Sequence, residues 1–221
     1  SLLDQTIKPD KIFINIPYKY NRFKNDKFIK PDFLNKKKYD IVEIFYLKFD
    51  YGPATKFIGG LFNNKINDDD LIVITDDDVI KKCNWLSKLL QNHYDNRVTC
   101  FVERNLGKSI VWGYLGYIFK KKLINVKDLL YFFSNVKNEC FYVDDHWLTG
   151  YCHYRKIKIY NIPISIYSDI NDSPLLNNNL NSLVDLKGKN NRYNTSNNCR
   201  NIIKKKYNTD FPFWCCIGCC N

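Results

Sequence analysis

Leu71-Ile72-Val73-Ile74-Thr75-Asp76-Asp77-Asp78 decides how the rest of the chain is read. Four branched apolar residues in succession make a strand apolar on both faces, the kind found in a sheet covered by helices. It runs straight into three carboxylates, which packing does not want, and open α/β sheets bind ligands beyond the C-terminal ends of their strands. In extended chain Asp76 and Asp78 project to the same side, while Asp77 points away or to solvent. Oxygen-only donors of this kind suit a hard divalent ion, Mg²⁺ or Mn²⁺, that keeps positions open for phosphate oxygens. The plainer reading is a solvated acidic turn, the one we give to Asp68, Asp69 and Asp70 ahead of the strand.

Outward from this strand, short apolar segments alternate with amphipathic ones. Lys11 to Ile16, Ile41 to Leu47 and Val98 to Val102 read as strands. Ala54 to Phe62 and Asn84 to Tyr94 read as helices, with Trp85, Leu86, Leu89 and Leu90 at helical spacing. This rhythm predicts an α/β fold with a mostly parallel sheet flanked by helices. Asn125 followed by Asp128 is a capping pair that opens a helix through Phe133, Cys140 to Val143 reads as another strand, and Ile157 to Ile162 as the last. The regular part spans 1–167. From Ser168 onward the texture is Asn-rich and basic, with Lys187, Lys189, Arg192, Arg200, Lys204, Lys205 and Lys206, and 168–221 reads as a polar arm without a core of its own.

A second acid pair lies in Phe141-Tyr142-Val143-Asp144-Asp145-His146-Trp147-Leu148. Its carboxylates stand at the start of a helix, where negative charge is favoured, and either one is also a candidate helix cap and nothing more. With two such acid edges, one serves a metal and the other proton abstraction, the pairing a transferase acting on a diphosphate-linked donor needs.

Composition bounds the function classes. At 221 residues with 45% hydrophobic and 26% charged, the chain suits one domain with a packed core and is not a disordered segment. Runs such as Leu129 to Phe133 are far short of the roughly 20 residues of a membrane-spanning helix. The net charge of +11 selects polyanionic partners such as nucleoside diphosphates, acidic headgroups or nucleic acid. Cys83, Cys100, Cys140 and Cys152 read as isolated thiols in apolar segments, which favours a reducing, cytosol-like compartment.

Taken in order, Gln5-Thr6-Ile7-Lys8-Pro9-Asp10 leading into Lys11 to Ile16, Tyr51-Gly52-Pro53-Ala54-Thr55-Lys56, Asp76-Asp77-Asp78 and Asp144-Asp145-His146-Trp147 resemble nucleotide-sugar-dependent glycosyltransferases of the GT-A (Rossmann-like) fold. The likeness is particularly to the small family-2-like enzymes, including those encoded by large DNA viruses, and covers most of Leu2 to Ile164. It implies a UDP-linked donor, a glycan or other hydroxyl acceptor, Mn²⁺ or Mg²⁺, and inversion at the anomeric carbon. By position, Asp76 and Asp78 correspond to the metal and diphosphate contacts; Asp76, Asp77 and Lys56 face the donor; Asp145 is the base, with Asp144 the alternative. Lys56 is otherwise an ordinary helix-surface lysine. The resemblance also implies a central strand ahead of Ser1; the opening at Ser1-Leu2-Leu3 and the absence of methionine lead us to expect an incomplete N-terminus.

Other readings stay open. A non-catalytic basic module would bind nucleic acid through its positive charge, although no known motif for it occurs. A metal-dependent nucleotidyltransferase or nuclease would use the same acids. Gly107-Lys108-Ser109 lacks the first glycine of a phosphate-binding loop. Trp112-Gly113-Tyr114-Leu115-Gly116-Tyr117 is a candidate sugar platform or simply core, His146 and His153 are candidate metal ligands or hydrogen-bonded residues, and the cysteine-rich end, Phe211 to Cys220, reads as a frayed tail.

Overall fold

The computed structural model describes residues 1–21, 27–102, 109–163, 171–174 and 188–209. β1 (Ile12–Pro17) and β2 (Val42–Leu47) are rich in β-branched and aromatic residues and pair in parallel, with Ile12 opposite Val42. α1 (Thr55–Phe62) grows out of a 3-10 turn at Gly52–Ala54, where Pro53 presets the first helical turn, and it buries Phe57, Ile58 and Leu61. It packs against β1 so tightly that a Cβ on Gly59 would fall 2.3 Å from Asn15, whose Nδ2 donates to the Lys56 carbonyl at 2.7 Å. That contact sets the position of Lys56 along the strand.

β3 (Leu71–Ile74) opens a four-stranded sheet of order β3-β6-β5-β7, in which β5 is Arg97–Val102, β6 is Tyr117–Lys120 and β7 is Lys158–Pro163. β5 and β7 are parallel, but β6 lies antiparallel to both β3 and β5. The mostly parallel sheet read from the sequence is therefore corrected to a mixed one. The physical reason is the turn into β6: the Gly116 amide donates back to the Gly113 carbonyl at 3.0 Å, and Gly116 takes φ +99°, which side-chain-bearing residues rarely adopt. β4 (Val79–Lys81) pairs antiparallel with β8 (Asn171–Pro174). α2 (Trp85–Gln91) covers one face of the four-stranded sheet, Trp85 and Leu89 packing with Phe101, Leu115 and Ile118. Among the described residues no ladder joins β1 to β3.

α3 spans Val126–Cys140, capped by the Asn125 side chain, which accepts from the Asp128 amide as expected. It continues beyond Phe133, so the strand read at Cys140 to Val143 is corrected to a helix end and a turn. Leu129, Phe132, Phe133, Val136 and Cys140 repeat at helical spacing and are all buried, which a strand would not achieve. α4 (Asp144–Tyr154) follows, and α5 (Gly188–Tyr207) packs against α3 and α4.

Much of the segment read as a polar arm therefore belongs to the main body. Cys199 and Ile203 of α5 are fully buried in the principal core, and Tyr207 stacks on Phe132 with ring centroids 4.3 Å apart. Cys140 is not an isolated thiol: it is disulfide-bonded to Cys199, 59 positions along the chain. Cys100 and Cys152 are free and buried, as expected, and Cys83 is free and exposed. No helix among the described residues is long and apolar enough to cross a membrane.

Because Ile203 is wholly buried, Ile203→Ala leaves a cavity, and the loss in chemical denaturation is expected to be about 2–4 kcal/mol. A residue on a solvated arm would change stability by no more than about 0.5 kcal/mol.

Candidate active site

A cleft of about 1480 Å³ runs between β1 and β3, with Phe13 on one wall, Val73 on the other, and Asp76, Asp78, Asp144 and Asp145 among its lining residues. Both acid clusters reach it because β3 ends just before Asp76 and α4 begins at Asp144. The residue preceding α4 is Val143, so the two acids occupy the first helical turn and neither is the cap. There the helix dipole favours their charge.

Lys56 joins the clusters. Its ammonium is 2.5 Å from Asp76 Oδ1 and 2.9 Å from Asp144 Oδ2. The side chains of Lys56, Asp76 and Asp144 are only 21%, 28% and 9% exposed, so these are largely dry ion pairs and the helix-surface reading of Lys56 does not hold. Burial pulls the Lys56 ammonium toward neutrality, but the attraction of Asp144, Asp76 and Asp145 outweighs it and raises its pKa, keeping it charged.

Asp145 sits differently. Its Oδ1 accepts the Gly113 amide at 2.9 Å. Loss of water around the carboxyl, and next the charge of Asp144, hold its pKa well above the ordinary carboxylate range, against the pull of Lys56 and the Gly113 amide. Asp78, on the exposed link between β3 and β4, is also pushed up, first by burial and then by Asp76 and Asp77. Asp77 is exposed and lines the cleft. The triplet ahead of the strand is the expected solvated turn: Asp70 accepts from the Asn67 amide, and Asp69 pairs with Lys120 and Lys122.

Among the described residues no three potential ligand side chains converge into a metal cage. Asp76 and Asp78 fit a different mode, in which Mg²⁺ or Mn²⁺ takes one or two carboxylates and completes its shell with substrate phosphate oxygens. Burial, and after it the charges of Asp76 and Asp77, raise Asp78, and a cation bound there would offset that repulsion. The histidines join no metal group: His153 Nε2 donates to the Ser109 carbonyl at 3.0 Å, and His146 is buried in α4. Trp112 tilts against Tyr114 and packs on the core, Tyr117 is buried in β6, and only Tyr114 of the candidate platform lines the cleft. Gly107, Lys108 and Phe211 to Cys220 lie outside the described residues.

The sequence reading missed Lys81 and Thr149, and placed Gly113 only in a candidate sugar platform. Lys81 is 3% exposed, donates to the Tyr114 carbonyl and lies over the Trp85 ring; burial draws its pKa down to about 8 against the charges of Asp76 and Asp78. Its one sequence signal was a lysine inside Val79-Ile80-Lys81. Comparison with family models, with curated proteins and with solved structures finds no match to this chain.

Removing the ammonium leaves Asp76 and Asp144 as uncompensated, poorly hydrated charges. Lys56→Met is expected to destabilise the chain by about 3–5 kcal/mol near pH 7. The ammonium stabilises the fold only while carboxylates around it are ionised, so the deficit is present at about pH 7 and shrinks as pH falls toward the ordinary carboxylate range of about 4. Denaturation curves at about pH 7 and about pH 4.5 check both the size and the sign.

Proposed function

We propose that this chain transfers a sugar from a nucleoside-diphosphate donor, UDP-linked by resemblance, to an acceptor hydroxyl, as an inverting glycosyltransferase of GT-A type. One observation carries the reading: Lys56 draws the acid after β3 and the acid opening α4 to the same ammonium at the lip of a single cleft. Acids gathered around one cation, with Asp145 held well above the ordinary carboxylate range, suit a reaction with one ionic and one proton-transfer role. The gap between β1 and β3 also supports it, since a doubly wound sheet would carry one more strand there.

In this reading Asp76 and Asp78 hold the divalent ion. When bound, that ion neutralises the diphosphate and so helps it depart. Asp144 is committed to Lys56, which leaves Asp145 as the base in preference to Asp144. The acceptor hydroxyl gives its proton to Asp145, its oxygen forms the new bond to the anomeric carbon, and the diphosphate leaves from the opposite face with the bonding electron pair. The raised pKa makes Asp145 a stronger base than an ordinary carboxylate. Lys81 and Lys56 supply positive charge beside Asp76 as the leaving group gains negative charge.

Calorimetry with UDP is expected to show binding that needs Mn²⁺ and is lost in Asp78→Ala, whereas equal affinity without metal would overturn the assignment. Asp145→Asn is expected to keep UDP binding and lose about 10²–10⁴-fold in turnover of a UDP-sugar, and the rate of the unaltered chain to rise with pH well above the ordinary carboxylate value of about 4. Cleavage of a nucleic-acid or nucleotidyl bond in place of the sugar bond would assign the same acids to nucleotidyl chemistry.

A further inference from the structure

The segment from Ser109 to Gly113 belongs to no sheet, yet it is bonded to α4 at every second residue. The Ser109 carbonyl accepts from His153 Nε2 at 3.0 Å, the Val111 amide donates to Thr149 Oγ1 at 3.0 Å, and the Gly113 amide donates to Asp145 Oδ1 at 2.9 Å. Positions 109, 111 and 113 thus meet positions 153, 149 and 145. The match is geometric: two residues of extended chain advance about 6.6 Å and four residues of helix about 6 Å, so an extended segment laid antiparallel on a helix keeps step with it. The residue between is held from the other side, since the Ile110 amide donates to Asn161 Oδ1 at 2.8 Å and its carbonyl accepts from Asn161 Nδ2 at 2.5 Å.

We infer that Gly113 and Thr149 are positioning residues that aim the Asp145 carboxyl for proton transfer. This rests on Asp145 being the base. Thr149 is fully buried, and its hydroxyl closes the relay: it accepts from Val111 and donates to the Asp145 carbonyl at 2.6 Å, tying the loop to the turn of helix that carries the carboxyl. Only glycine brings its amide this close. A Cβ at position 113 would lie 2.7 Å from Lys56 Nζ and 2.8 Å from Asp145 Oδ1, so a side chain there would displace either the loop or the two groups whose positions it sets. With Oδ1 held by a backbone amide, the proton from the acceptor falls to Oδ2. Sequence spacing carried one trace of this, Thr149 lying four residues after Asp145 on the same helical face.

The test is the titration of the Asp145 carboxyl carbon, followed by NMR in the unaltered chain and in Thr149→Ser, Thr149→Val and Gly113→Ala. Loss of the amide bond should move the Asp145 midpoint upward by about one unit or more in Thr149→Val and Gly113→Ala, with Thr149→Ser close to the unaltered chain. A merely structural role would lower the melting temperature and leave the midpoint in place, which overturns the proposal. Should Thr149→Val and Gly113→Ala fail to fold, hydrogen exchange in the unaltered chain decides. The Val111 and Gly113 amides should exchange at least tenfold more slowly than in the unfolded chain, and unprotected amides would overturn it. If the midpoints move as expected while Mn²⁺ and UDP-sugars yield no transfer, the positioning stands and the glycosyltransferase reading fails. If transfer is observed, Thr149→Val should lower kcat and spare KM, with Thr149→Ser restoring it.

Discussion

One largely enclosed ammonium organises this molecule. Lys56 is set by the tight seating of α1 on β1, and from there it reaches an acid that follows β3 and an acid that opens α4. Three elements distant in sequence are thereby held to a common point, and none of the three could keep its charge there alone. A carboxylate as dry as Asp144 is tolerable only with a cation beside it, and a lysine so enclosed stays charged only because carboxylates surround it. The arrangement is a poor source of stability, because desolvation offsets most of the attraction. It fixes geometry instead: Asp145 lies near the ammonium without a direct ion pair to it, and loss of water and the charge of Asp144 hold its pKa up against that pull.

Much of the site was legible because its chemistry contradicts packing. Three acids after a buried strand and two after Val143 stand out in the sequence because an apolar segment has no reason to end that way. Lys56 was visible by position, but its burial was not, since a lysine at the start of a helix ordinarily reaches solvent. Gly113 and Thr149 were hidden because their work is done by a backbone amide and by a hydroxyl turned inward, and neither leaves a pattern in residue type.

The fold was legible where elements bury a whole face and opaque where they bury little. β6 holds few residues, and its direction is decided by the backbone of Gly116. α5 is polar along most of its length and docks through a narrow stripe, Cys199, Ile203 and Tyr207, spaced by one helical turn each. Composition averaged over the segment conceals that stripe. The Cys140–Cys199 bond was equally invisible, because two cysteines 59 positions apart say nothing of distance until α3 and α5 are known to lie side by side.

Among the described residues, the break between the sheets turns unpaired main-chain groups of two strands toward one another. Ile12 and Tyr18 donate their amides to the β2 side, so the alternation of a parallel ladder turns Phe13 and Asn15 toward the cleft. Across from them, Asp70 accepts from Lys121, which by the same alternation turns the backbone of Leu71 and Val73 into the cleft as well. Both rims are apolar, and neither β1 nor β3 carries the lysine, proline or bulge in its middle with which proteins usually blunt an edge. Among the described residues, two such rims face one opening, and the main-chain groups of both strands are turned to where a further strand would pair with them.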